Sequence, residues 1–338
     1  MNALFLGLGS IGQRHLRNLY KIDKNINFYA VRKKFFTPLL TNKNKAIKGN
    51  IKKKYKIVYF NSLDSLKKSK IKIDIAFICT PSNFHVDEAI WLLKNNINIF
   101  VEKPLGKSLK NVSKLKRLLQ SKKNLKHMMG YQLKFNPIIL KLKSLLDKNT
   151  IGDIWHVNIH HGENINDFHP YEGYEHSYAA RKDQGGGVVL CQIHEIDYLL
   201  YIFKDYKVII KNSYLNKITD YNINVEDTFN ATLLLKKKSK KTICNIHLNF
   251  YERPKKRLIE VLGKLGKITC DLNSGDIIVH KKNKTNKYKF NFDRNKIFIK
   301  QIKHFLNAVK KNKVINKSYD IFNGINSLKL ALQLKKNK

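Results

Sequence analysis

Gly7-Leu8-Gly9-Ser10-Ile11-Gly12 follows directly on a short apolar run, Ala3 to Leu6, and opens directly into a helical pattern, Ile11 to Tyr20. A strand, a glycine-rich turn and a helix in that order leave few folds open. The first glycine allows the tight turn, the second lets backbone approach a pyrophosphate, and the third lets the helix pack closely. The unpaired N–H groups of the helix's first turn then face the anion. Gly7, Gly9, Ser10, Ile11 and Gly12 are therefore expected to cradle a dinucleotide.

The first third of the chain repeats this alternation, the rhythm of βαβ units in a parallel sheet. Ile26 to Val31, Ile57 to Phe60, Ile73 to Cys79, Ile97 to Val101 and His127 to Tyr131 read as strands. Leu63 to Lys68, Phe84 to Lys94 and Leu109 to Gln120 read as helices, and lysine-rich Lys33 to Lys56 as a surface loop with a poor helix. After about Asn136 the runs grow longer and richer in β-branched and aromatic residues. Ile154 to His160, Phe229 to Leu235, Thr242 to Phe250, Leu258 to Leu262, Lys267 to Leu272 and Asp276 to His280 read as strands on hairpin-length connections, hence a mainly antiparallel sheet. Helices are expected at Pro137 to Asp147, Val188 to Phe203, Asn295 to Lys310 and Ile321 to Lys335, and solvated hairpin tips at 236–241 and 281–287.

A length of 338 residues suits two domains. The fold class is α/β. Residues 1–125 would form a doubly wound parallel sheet, and 126–338 an α+β domain with a large open sheet, whose C-terminal helix can pack back on the first domain.

In a dinucleotide site an acidic residue about 20 positions past the glycines, at the end of the second strand, grips the ribose diol of NAD. Arg32 stands there instead, followed by Lys33 and Lys34. A 2′-phosphate would find a positive partner, which favours NADP over NAD; an arginine that merely stacks on adenine would accept either.

Lys and Arg number 66 against 25 Asp and Glu, a net charge of +41 that invites a polyanion partner. Only eight of the 66 are Arg, the residue whose planar fork reads phosphates and guanine edges. Spread among Asn and Ile, the lysines read as compositional bias, and no nucleic acid is expected. The basic surface does suit a negatively charged small ligand. Cys79, Cys191, Cys244 and Cys270 lack any paired spacing, which fits a reducing compartment. With no basic leader before Ala3 to Leu6, and no uncharged apolar stretch of about 18 residues, neither a signal peptide nor a membrane partner is expected. A cytoplasmic location follows.

Two further segments end on the same carboxyl edge of the expected sheet, where open α/β sheets bind ligands. These are Cys79-Thr80-Pro81-Ser82-Asn83-Phe84-His85 and Val101-Glu102-Lys103-Pro104. Later come Gly185-Gly186-Gly187 and His194-Glu195-Ile196-Asp197. In this order, and over essentially its whole length, the chain resembles the Gfo/Idh/MocA oxidoreductases.

The resemblance implies a Rossmann domain binding NAD or NADP, and a second domain whose open sheet often mediates oligomers, here a homo-dimer or homo-tetramer. It also implies a sugar-like substrate, a polyol or nucleotide-linked sugar, between the domains. Gly7 to Gly12, Arg32, Thr80, Pro81, Asn83, His85, Glu102 and Lys103 would contact the cofactor. Lys103 carries over as the lysine facing substrate and nicotinamide; an ammonium beside a hydroxyl favours its alkoxide and assists hydride departure. His194 carries over as the catalytic histidine, a group whose ordinary pKa of about 6.5 suits proton exchange. The family's Asp four residues earlier is replaced by Leu190, so His194 would act with Lys103 alone or with help from Gln192, Asp197 or a residue outside the motif. Helical spacing places Leu190, His194 and Asp197 on one face.

Tyr131, in the crossover Gly130 to Asn136, falls near the substrate by resemblance and equally suits plain linker packing. The segment from His160 to Asp183 is dense in polar and aromatic residues, with Arg181 placed to hold a phosphate or carboxylate. His156, His160, His161, His169 and His176 tempt a metal reading, but they match no zinc spacing and neighbours on a strand point to opposite faces. No metal is expected. The function expected is hydride transfer between the nicotinamide and a sugar-like alcohol or ketone, possibly a nucleotide-linked or acidic one. The alternatives are an epimerase, lyase or glycosidase with tightly held cofactor, and a non-catalytic NAD(P)-binding regulator.

Overall fold

The computed structural model describes residues 1–32, 38–42, 44–168 and 171–336. Lys33, Lys34 and His169 lie outside the described residues. Two compact units emerge: Met1–Tyr131 with Asn295–Leu328, and Gln132–Arg294 with Lys329–Lys338. The first unit's opening stretch runs to Tyr131, and the last part of the chain is divided between the two units.

In the first unit, β1 (Asn2–Leu6) runs through the glycine turn into α1 (Ser10–Ile22), then β2 (Asn27–Val31). A minimal pairing of β3 (Leu39–Leu40) with β4 (Ala46–Ile47) and the short α2 (Ile51–Tyr55) occupy the stretch read as loop. Then come β5 (Val58–Phe60), α3 (Leu63–Lys68), β6 (Ile75–Ile78), α4 (His85–Lys94), β7 (Asn98–Val101), α5 (Val112–Ser121) and β8 (His127–Met129). The six-stranded sheet has the order β5-β2-β1-β6-β7-β8, parallel throughout. All four residues of β6 are buried, as expected of a central strand covered on both faces. Phe5 stacks on Phe77 at 5.0 Å, and Phe77 lies 5.2 Å from Phe100.

The second unit opens with α6 (Pro137–Asp147), whose first turn Asn136 caps by accepting from the Ile138 N–H. Strand β9 (Ile154–Gly162) follows, then a run of short 3-10 turns, α7 (Val188–Cys191) and α8 (His194–Ile202). Strands β10 (Lys207–Asn216), β11 (Thr228–Lys237), β12 (Lys240–Asn249), β13 (Lys256–Gly263), β14 (Gly266–Asp271), β15 (Asp276–Lys281) and β16 (Lys284–Lys289) complete it. Their order is β10-β11-β12-β9-β13-β14-β15-β16, antiparallel except for β12 against β9. In β9, Val157, Ile159 and His161 are buried while Asn158 and His160 are half-buried, the alternation of a sheet with one covered face.

Three expectations need correction. Strand β10 was not anticipated, and the 281–287 cluster is largely edge strand β16 rather than a tip. The single helix expected over Val188 to Phe203 is broken at Gln192-Ile193. Leu190 and His194 therefore sit on different helices and share no continuous face.

Two last helices are α9 (Arg294–Lys310) and α10 (Ile321–Lys336). Phe305 of α9 meets Phe77 and Phe100 edge-on at 6.0 and 5.8 Å, and Asn295 exchanges side-chain hydrogen bonds with Asn18. This part of the tail therefore completes the first unit's core. In the end of α10, Lys335 pairs with Glu226 at 2.6 Å within the second unit.

Candidate functional site

The glycine turn shows three separate constraints. Gly7 has φ +87°, and a Cβ there would lie 2.6 Å from the Cys79 carbonyl oxygen. At Gly12 a Cβ would lie 2.3 Å from the Gly7 carbonyl oxygen. At Gly9 it would meet nothing within 4 Å. The turn is thus closed on the protein side and open at Gly9, the N-cap of α1, where the amides of the first helical turn emerge. A bare backbone opening at a helix N-terminus is what a pyrophosphate requires, so Gly7, Gly9, Ser10, Ile11 and Gly12 fit the group they were expected to hold.

The sheet register brings the other loops to this edge. Leu6 pairs with Val31 and Ile78, Ile78 with Val101, and Val101 with Met129. Gly7, Arg32, Cys79-Thr80 and Glu102-Lys103 consequently leave neighbouring strands side by side. The order reverses between β2-β1 and β1-β6, the switch point where such sheets open a crevice. Arg32 is 7% exposed; its Nη1 lies 3.2 Å from the Tyr59 hydroxyl, and its guanidinium sits 5.4 Å from the Tyr59 ring centre.

The loops behind this edge are braced from within. His85 is 1% exposed, with Nε2 at 2.7 Å from the Thr80 carbonyl oxygen and Nδ1 at 2.8 Å from that of Pro104. Burial lowers its pKa, an effect the two carbonyls partly offset. Both nitrogens being engaged, the imidazole ties the loops after β6 and β7 together. Glu102 is likewise buried, its carboxylate 2.6 Å from Nε2 of His15 in α1 and accepting the Lys103 N–H at 3.1 Å. Thr80 donates its hydroxyl to Glu88 of α4. The loop's outward groups are the half-buried Thr80, Pro81 and Asn83, and Asn83 Oδ1 is a buried acceptor with no partner among the described residues. Lys103 is half-buried at the end of β7, and its peptide to Pro104 is cis.

In the second unit the glycine run packs against protein. A Cβ on Gly186 would lie 2.5 Å from the Tyr178 and Ala179 carbonyl oxygens, and one on Gly187 would lie 2.4 Å from the Glu226 carboxylate. His194, 5% exposed, begins α8 just past the break. Gln192 is 2% exposed; its Nε2 donates to the Asn249 carbonyl at 2.9 Å, and its Oε1 has no partner among the described residues. Asp197 is 1% exposed and paired with Lys134 at 2.9 Å, so its carboxylate is committed inside the unit. Arg181 is half-exposed, 3.5 Å from Asp183. Tyr131, at the end of the first unit, is 2% exposed. Of the histidines weighed as metal ligands, His156 bonds Asn245, His160 pairs with Glu252, and His161 faces Glu195.

A family model described as the oxidoreductase family with NAD-binding Rossmann fold, GFO_IDH_MocA, matches residues 1–131. A second, the GFO/IDH/MocA C-terminal domain, matches residues 139–269. The chain belongs to the Gfo/Idh/MocA oxidoreductase family. Among curated relatives, the myo-inositol 2-dehydrogenase of Thermotoga maritima is 29% identical over 149 residues, 44% of this chain and 41% of that protein. The trans-1,2-dihydrobenzene-1,2-diol dehydrogenase of Xenopus tropicalis is 29% identical over 148 residues, 44% of this chain and 40% of its own. The matched stretch thus spans about two fifths of these relatives. Among solved structures, levoglucosan dehydrogenase in complex with NADH superposes with TM-score 0.80 at 13% identity, covering 100% of this chain and 96% of that one. The WlbA dehydrogenase from Bordetella pertussis, in complex with NADH and UDP-GlcNAcA, gives 0.77 at 14% identity, with the same coverage. At such identities these likenesses speak for the fold.

The sequence reading of this Gfo/Idh/MocA chain did not anticipate the buried polar supports. Lys134, Glu195, Arg257, Glu88 and His15 carry buried polar contacts around the motif residues. Glu195 is fully buried, with Arg257 Nη2 at 2.7 Å and His161 Nδ1 at 3.1 Å. Burial works against its charge, but the guanidinium and the imidazole more than offset this and hold the carboxyl down at about 2. Lys134 lies in Gln132-Leu133-Lys134-Phe135, and a charged residue set directly between apolar Leu133 and Phe135 was the available signal.

Proposed function

We propose that this chain catalyses NAD(P)-dependent oxidation of a sugar-like alcohol, or reduction of the corresponding ketone. The observation that carries the reading is the register row placing the open Gly9 cradle, Arg32, Thr80 and Lys103 at the ends of adjacent strands. The nicotinamide, when bound, supplies the hydride acceptor or donor at its C4. Gly7 to Gly12 hold the pyrophosphate through backbone amides. Thr80, Pro81 and the orphan acceptor of Asn83 line the nicotinamide side, with His85 and Glu102 fixing the loops that present them. Lys103 polarises the substrate oxygen and stabilises developing alkoxide. His194 takes the hydroxyl proton as the C–H bond gives up its electron pair, and returns it in the reverse direction.

Relatives named for myo-inositol and levoglucosan, and one holding UDP-GlcNAcA, support a sugar or nucleotide-linked sugar. The +41 charge favours an anionic one, for which Arg181 is half-exposed, and the free Oε1 of Gln192 suits a substrate hydroxyl. Arg32 in place of an acid favours NADP. A homo-dimer or homo-tetramer is proposed through the sheet face that carries Ile243, Tyr214 and Leu262, 50%, 52% and 36% exposed. Four buried free cysteines suit a cytoplasmic location, and among the described residues no helix is long and apolar enough to cross a membrane.

The test is NADH or NADPH formation, read by absorbance, with myo-inositol, levoglucosan and UDP-N-acetylglucosamine as probes. Turnover of any of them supports the reading. Cofactor that stays bound while a sugar is epimerised or cleaved would favour the tightly held-cofactor chemistries, and cofactor binding without any turnover a regulator.

A further inference from the structure

Helix α8 begins without the usual device for starting a helix. Its N-cap is Ile193, which has no side-chain oxygen to accept the exposed amides, and the break at Gln192-Ile193 severs it from α7. Yet the residue opening α8 is His194, whose proposed role requires a fixed imidazole. Two other residues of that first turn are acidic, Glu195 and Asp197, at 0% and 1% exposure.

Each is drawn to a different element. Glu195 takes the Arg257 guanidinium of β13, Nε at 2.8 Å and Nη2 at 2.7 Å, with His161 of β9 beside it. Asp197 takes the ammonium of Lys134, from the 3-10 turn Gln132–Phe135, at 2.9 Å with both side chains 1% exposed. An anchor at one point leaves a helix free to rotate about it; two anchors on different elements restrict both rotation and translation. Burying charges so completely is a poor way to stabilise a fold, because well-packed apolar residues of similar volume usually serve as well or better. Helix-dipole attraction for acids in a first turn is worth only about 0.3–1 kcal/mol each and does not account for their cationic partners.

We propose that Glu195 with Arg257 and Asp197 with Lys134 are positioning residues that clamp the first turn of α8 and thereby hold His194 for proton transfer. This rests on the assignment of His194 as proton carrier. It supplies from two sides the orientation that an acid at position 190 would supply directly, Leu190 being buried on the separate helix α7. No pair touches the reacting atoms; both act through the helix.

The test uses the full-length chain labelled with carbon-13 histidine, with the His194 ring signal assigned from His194→Gln. Glu195→Gln and the double variant Lys134→Met/Asp197→Leu are compared with wild type by histidine titration, by NADH binding, and by turnover with whichever probe sugar wild type oxidises. The clamp predicts a His194 signal that is split or displaced in its titration. It also predicts kcat reduced about ten- to a hundred-fold, KM and NADH affinity nearly kept, and recovery in Lys134→Arg, as expected for an imidazole displaced by up to an ångström. Folded variants whose His194 titration and kcat match wild type would overturn it. Should Glu195→Gln fail to fold, the double variant, which removes both charges of its pair together, decides. If His194→Gln itself turns over normally, the catalytic reading fails, while the ring signal still reports whether the clamp holds.

Discussion

Thr80 donates its hydroxyl to Glu88 at 2.6 Å, joining the loop after β6 to the first turn of α4. Burial pushes the Glu88 carboxyl up to about 7, and the Thr80 bond offsets this only in part. A folded-state pKa above the unfolded value of about 4.3 means that the folded chain binds the extra proton between those two pH values. The contribution of this group to stability is therefore full below about pH 4.3, falls as pH rises toward 7, and is spent above it, by at most about 4 kcal/mol. Glu88→Gln should remove that slope, so that it loses less stability than wild type between about pH 5 and pH 8 in urea unfolding. Equal losses in the two proteins would dissociate Glu88 from the pH response.

The three glycines of the turn should separate into different phenotypes. Gly12→Ala places a Cβ 2.3 Å from the Gly7 carbonyl oxygen, which backbone cannot avoid cheaply, and should cost about 1–3 kcal/mol of stability. Gly9→Ala meets only open space in the protein. It should unfold at nearly the wild-type temperature yet bind NADH about tenfold more weakly, because the methyl group occupies the pyrophosphate's approach. Titration calorimetry beside a thermal melt distinguishes them, and a Gly9→Ala protein of normal affinity would place the cofactor elsewhere.

Lys103→Ala should lower kcat about 10²-fold or more with NADH affinity kept, since the ammonium is assigned an interaction that matters only as charge develops on the substrate oxygen. A loss confined to KM would recast Lys103 as a plain binding group. Normal turnover would remove it from the mechanism.

How much of this was legible follows from what each residue answers to. The cradle, β1, β6, β7 and the edge position of Lys103 were readable because buried parallel strands are continuous apolar runs and the glycine turn is local. Strand β10 was not, because it is an edge strand whose alternation is interrupted by a register shift between Ile210 and Asn212. Strand β16, Lys-Thr-Asn-Lys-Tyr-Lys, is the opposite edge, and lysines that discourage edge pairing read in sequence as a solvated tip. The α7-α8 break carries neither Gly nor Pro at Gln192-Ile193. The pair Lys134–Asp197 joins residues far apart in sequence, so that Asp197 looked available until its partner was in place.

Cofactor choice should turn on Arg32. Its guanidinium is already held against the Tyr59 ring and hydroxyl, so it cannot swing freely, but a braced arginine at the end of β2 is also a preorganised one. If it answers a 2′-phosphate, Arg32→Ala loses a charge-assisted hydrogen bond worth about 1.5–3 kcal/mol, or about 10- to 100-fold in NADP affinity, and leaves NAD affinity almost untouched. If it only braces Tyr59 and the adenine side of the crevice, both cofactors weaken together and Tyr59→Phe reproduces part of the loss. Paired titrations of NAD and NADP on the two variants read the difference directly: selective loss of NADP supports the phosphate assignment, and parallel loss overturns it.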